Sequence, residues 1–259
     1  FALHAPQFRY EASNTVIAPI RDQLPGTNTD AYAAHHWVAA WDDAGGVSWS
    51  SHEAPIVEIG GLWPGYVSQA HHGVAPPGYG HDFLRDPVQL TRGHLYSHIM
   101  VSNFRTNFSP VQVGDALFRY TLTTHSGDWR AAHDFGWRAQ TPLWPVWVRG
   151  PQAGALPPAA AFCQLDAPNA HLLTIKGAED GDGVIVRLSE TAGVATVARL
   201  TLPQVAIAEA RRTTLVEEDV EALPCDGHTV QVPLAAHGIT TVRCRTGQHF
   251  PTVRWYARF

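Results

Sequence analysis

Lysine is almost missing from this chain: among 18 basic residues Lys176 is the single lysine, and the formal net charge is -5. With no cluster of Lys and Arg there is no basic stripe to follow a phosphate backbone or an anionic lipid surface, so nucleic acid and membrane are not expected partners. No apolar run approaches the roughly 18 to 20 residues that span a bilayer, and the opening FALHAPQFRY lacks the cationic start and apolar stretch of a signal peptide. Cysteine is scarce as well. Cys163, Cys225 and Cys244 are an odd number without CxxC spacing, which reads as buried thiols of a reducing compartment and favours a cytoplasmic setting; a Cys225–Cys244 bridge is the lesser alternative. The chain begins at Phe1 and its sole methionine is Met100, so a piece of a longer polypeptide is expected.

Catalytic signatures are absent too. There is no GxSxG nucleophile turn, and the glycines at 60, 61, 181 and 183 match neither a P-loop nor a dinucleotide fingerprint. Fifteen histidines include the adjacent pairs His35-His36 and His71-His72, and His94 and His98 would share a strand face. HExxH and a recognisable third ligand are lacking, so no metal is expected within this chain. Paired carboxylates such as Asp22 with Asp30, or Glu53 with Glu58, are formally available for glycoside chemistry, but chain spacing does not fix their separation.

What the sequence has is β-structure and aromatic residues, nine of them Trp. Turn signals recur about every ten residues between short runs rich in Val, Ile, Thr and aromatics, the pattern of sandwiches and barrels. The chain is read as all-β. Ala31 to Trp41 reads as one strand, Asp42 to Gly46 as a hairpin turn, Val47 to Glu53 as the return strand, and Ile56 to Ile59 as another. Residues 60–87, rich in Pro and Gly, read as a long loop carrying Trp63, Tyr66 and Tyr79. Leu95 to Tyr120 holds two strand-like runs around an aromatic, amide-rich turn suited to sugar.

The run RGPQAGALPP has linker composition, giving residues 1–150 as one region, 151–164 as a linker and 165–259 as a smaller antiparallel sandwich with a tail. In the second half, Leu172 to Lys176, Val184 to Leu188, Val194 to Leu202 and Thr229 to Leu234 alternate with period 2. Val205 to Glu218 has helix-favouring residues, but its neighbours argue for strand.

Four segments carry a family resemblance. RDQLPGTNTDAYAAHHWV at 21–38, VSWSSHEAPIVEIGG at 47–61, HIMVSNFRTNF with FRYTLTTH at 98–125, and LLTIKGAEDGDGVIVRLSE at 172–190 together resemble the C-terminal half of class II α-mannosidases, glycoside hydrolase family 38. The resemblance covers residues 10 to 245. It implies a portion of a galactose-mutarotase-like supersandwich followed by a smaller β-sandwich, and, ahead of them, a catalytic α/β barrel with an aspartate nucleophile and zinc.

None of the barrel's catalytic positions lies in this chain. The resemblance therefore implies a non-catalytic region, inactive alone, that packs on its own N-terminal barrel and shapes the site for an α-mannoside or other glycan. Zinc is expected in that barrel. Candidate carbohydrate contacts on the rim are Asp22, His36, Trp37, Asn103 and Arg105, with turn, sheet-surface and core roles as their structural alternatives. A stand-alone carbohydrate-binding module, built around Trp63, Tyr66 and Tyr79, is the second reading. A mutarotase-like sugar epimerase is the third, resting on fold analogy.

Overall fold

In a computed structural model, residues 1–13, 15–24, 31–61, 90–100, 111–151, 153–154 and 157–246 are described. The chain divides into two compact units, Phe1–Val146 and Trp147–Phe259. Among the described residues the structure is nearly all β, and no helix is long and apolar enough to cross a membrane.

The first unit is built on a five-stranded antiparallel sheet of β1 (Gln7–Ala12), β2 (Thr15–Ile17), β4 (Val38–Asp42), β5 (Gly45–Ser51) and β8 (Tyr120–His125), in the order β2-β1-β4-β5-β8. A second sheet of β3 (Tyr32–Ala33), β6 (Ile56–Ile59) and β7 (Leu95–Ser97) runs in the order β3-β6-β7. The alternation of β1 explains how the layers meet, because successive side chains point to opposite faces of a strand. Phe8 and Tyr10 join Val38, Ala40 and Trp49 from the large sheet, and Tyr32, Val57 and Ile59 from the small one, in one apolar core.

The opposite face of the large sheet is covered by an element that the all-β reading does not contain. Helix α1 (Arg130–Gln140) packs there, with Ala132 against Trp37, Ala39 and Trp41. Trp129, just ahead of the helix, stacks on Trp37 with ring centroids 5.9 Å apart. β4 is thus buried on both faces, which is why VAAW reads as a continuous apolar run rather than an alternating one. Gly136 lets the helix come close: a Cβ there would lie 2.5 Å from Trp37 Cδ1.

Two further expectations are corrected in this unit. Ala31 to Trp41 is not one strand; the chain leaves β3, bends at His35 and His36, and re-enters the sheet at Val38. The second run of the 95–120 segment does not end at Tyr120 but becomes a strand only there. The intervening residues 101–110, residues 62–89 with most of the loop expected at 60–87, and the last segment 247–259 lie outside the described residues. The hairpin at Asp42–Gly46 forms as read, with Asp42 paired to Gly45 and Asp42 Oδ1 accepting the Ala44 N–H at 2.9 Å.

The second unit is a two-sheet antiparallel sandwich. One sheet holds β10 (Ala170–Gly177), β11 (Val184–Glu190), β17 (Ile239–Thr246), β13 (Ile207–Thr213) and β14 (Asp219–Leu223), in that order. The other runs β15 (Cys225–Asp226), β16 (Thr229–Leu234), β12 (Thr196–Thr201) and β9 (Gln164–Leu165). Val186, Leu188, Ala210, Val242 and Cys244 from the first face Ala198, Leu200, Val230 and Val232 from the second across a shared core. Within the ambiguous 205–218 segment Ile207–Thr213 is strand, held by the two neighbours it pairs with, and residues 214–218 form the turn that follows.

Two polar devices hold the loops of this sandwich. The acidic turn Glu179–Gly183 is clamped by Arg243, whose Nη1 donates to Asp180 Oδ1 at 2.8 Å and to the Asp182 carbonyl at 2.9 Å, while Nη2 donates to the Glu217 carbonyl at 2.8 Å. Glu190 gathers the N–H groups of Ala192, Gly193, Val194 and His237, together with the Asn169 amide, at 2.7 to 3.1 Å. Burial works to raise the Glu190 pKa, but these donors hold it below the usual glutamate value.

Candidate functional site

Among the described residues of the first unit, a group of ionisable and aromatic side chains surrounds Glu11. Glu11 lies on β1 opposite Trp37, its N–H donating to the Trp37 carbonyl at 3.1 Å, and the pleat aims its side chain at the helix-covered face. The residue is only 4% exposed. A carboxylate taken that far from water needs partners, and the helix and the bend supply them. Trp137 Nε1 of α1 donates to Oε1 at 2.9 Å, and His36 Nδ1 lies 2.8 Å from Oε2.

Adjacent residues in an extended strand would point to opposite faces, but the bend turns His35 and His36 to one side, with ring centroids 3.9 Å apart. His36 lies against the Trp137 indole in turn, at 4.0 Å between centroids. Gln140, at the end of α1, secures the bend's surroundings by donating to the Ser51 carbonyl at 2.8 Å and reaching the His35 carbonyl at 3.3 Å. His133, one helical turn before Trp137, has its Nδ1 4.0 Å from Glu11 Oε1. Burial pushes the His133 pKa down, and the His35 pKa is lowered by burial and then by the neighbouring His36.

Glu11, His35 and His36 each place one donor atom so that all three lie within 4.8 Å of one another. The group is a buried carboxylate, a half-buried imidazole and an exposed imidazole, open to solvent on the His35 side. One carboxylate and two imidazoles form a donor set suited to borderline divalent metals.

The sequence candidates fare differently. His36 sits at the centre of this group. Trp37, its neighbour, is 0% exposed and belongs to the core under α1, so it presents no ring face for stacking on a sugar. Asp22 closes a local turn, accepting the Ala18 N–H at 2.8 Å, and pairs with Arg21; that guanidinium first of all holds its carboxyl below the usual range. Asn103 and Arg105 lie outside the described residues, as do Trp63, Tyr66, Tyr79 and Asp30. Glu53 and Glu58 are engaged apart from each other, Glu53 with Arg119 at 2.6 Å and Glu58 with His98 at 3.7 Å.

Sequence reasoning passed over Glu11 and Trp137. The His35-His36 doublet was visible, but Glu11 lies 25 residues before His36 and Trp137 lies 126 residues after Glu11. Only the sheet register and the helix bring them together.

Comparison with known proteins adds the following. Residues 169–242 match the model described as the glycosyl hydrolases family 38 C-terminal beta sandwich domain. The match runs from just before β10 into β17. Among solved structures, an alpha-mannosidase from Enterococcus faecalis V583 aligns at a TM-score of 0.54 and 15% identity, over 92% of this chain and 24% of its own. A protein in the glycosyl hydrolase family 38 from Enterococcus faecalis aligns at a TM-score of 0.54 and 14% identity, over 92% of this chain and 25% of its own. The chain therefore spans about a quarter of the length of these structures. No curated protein matches. The resemblance to the family's C-terminal β-domains stands on the family model for the second unit and on likeness of fold for the rest.

Proposed function

Taking the second unit as a family 38 C-terminal β-sandwich domain, we propose that this chain is the non-catalytic C-terminal region of an α-mannosidase-type glycoside hydrolase. It packs on an N-terminal catalytic barrel, buries its flank and shapes the rim of its sugar site, while nucleophile and zinc belong to the barrel. The observation that carries this reading is the pairing of near-complete coverage of this chain with a quarter coverage of larger family 38 structures.

Asp22, Asn103 and Arg105 are the residues offered to the glycan rim.

The test is hydrolysis of an aryl α-mannoside by the purified 259-residue chain with zinc supplied. The expected result is no turnover above buffer. Turnover would overturn the reading, and millimolar-range binding of free mannosides by calorimetry, without turnover, would replace it with a carbohydrate-binding module.

A further inference from the structure

We propose that Glu11, His35 and His36 form a binding site for a divalent transition-metal ion of the zinc type. This departs from the expectation that no metal binds within the chain, and it is independent of any metal in a catalytic barrel.

Two observations carry it. First, the donors converge: three donor atoms from β1 and the bend lie within 4.8 Å of one another, and Glu11 Oε2 is already 2.8 Å from His36 Nδ1. Tetrahedral zinc holds imidazole nitrogen at ~2.0–2.1 Å and carboxylate oxygen at ~2.0–2.2 Å, so that contact opens by only about half an ångström as the ion replaces the shared proton.

Second, the site has an outer layer of the kind that orients ligands. Trp137 Nε1 occupies Glu11 Oε1 and leaves Oε2 for the ion, the indole lies against the His36 ring, and Gln140 secures the bend. Such second-layer contacts fix which ligand atom faces the metal.

The remaining position would face the exposed side of His35. The ion would bridge β1 and the bend before β4, so its role is to brace the face on which α1 rests.

The experiment is calorimetric titration of the chelator-treated 259-residue chain with zinc, with cobalt absorption as a second readout and the thermal midpoint as a third. Expected are one ion per chain, a visible cobalt spectrum and a rise in the midpoint. Trp137→Phe should loosen zinc by about tenfold, the lower end of the usual outer-layer effect. His35→Ala, at an exposed position where folding is not at stake, should weaken it further, whereas His228→Ala in the other unit should change nothing. Zinc binding absent at one equivalent, or unchanged in His35→Ala, would overturn the proposal and leave Glu11 and His36 as a buried hydrogen-bonded pair.

Discussion

Glu190 shows what a single buried carboxylate does in this fold. It is 2% exposed and accepts five N–H donors from three separate stretches of chain. Glu190→Gln keeps the shape but turns an amide N–H toward those donors, so a loss of about 2–4 kcal/mol is expected in urea unfolding. The pH dependence has a definite sign. A pKa held below the ordinary value of 4.5 gives stability that is fully present above pH 4.5 and is lost as pH falls through the folded-state value. Unfolding curves recorded from pH 7 down to pH 3 should show a steeper decline for the parent chain than for Glu190→Gln. At this scale the sequence disclosed residue types but not partners: the His35-His36 doublet was legible, whereas the carboxylate that pairs with it was not.

At the scale of elements, helix α1 is the informative case. RAAHDFGWRAQ has no side-chain cap at its N-terminus and carries a glycine, and among its eleven residues only Ala132 and Gly136 are fully buried. The buried stripe is narrow, and the helix forms against the surface that Trp37, Trp41 and Trp129 offer it. Gly136→Ala tests this. Ala would favour the helix by about 1 kcal/mol in isolation, yet its Cβ would meet Trp37 side-chain atoms at 2.5 to 2.8 Å. Net destabilisation of roughly 1–3 kcal/mol is expected from overpacking, read as a lower thermal midpoint; a higher one would mean that the helix is free to move off the sheet. The strands, in contrast, were legible wherever one face is buried and the other is wet, as in β12 and β16 of the second unit. The turn between β10 and β11 was legible as an acidic glycine turn, but its clamp was not. Arg243→Lys keeps one charge and loses the planar fork that reaches Asp180, Asp182 and Glu217 together, for an expected cost of about 2 kcal/mol.

Each unit of the whole molecule has a core closed within itself. The second unit's core draws on β10, β11, β13 and β17 of one sheet and on β12 and β16 of the other, all within residues 157–246. Residues 157–246 expressed alone should therefore unfold in one cooperative transition; a non-cooperative melt would show that this core depends on the rest of the chain. The functional proposal belongs to this scale too, since the likeness of fold runs to structures about four times longer. Its most direct measurement is aryl α-mannoside hydrolysis by this chain, by the proposed catalytic barrel expressed separately, and by the two mixed. The account predicts that the chain alone stays at the buffer rate and that the mixture exceeds the barrel alone, with both parts eluting together. Turnover by the chain alone, or a barrel whose rate is indifferent to it, would contradict the account.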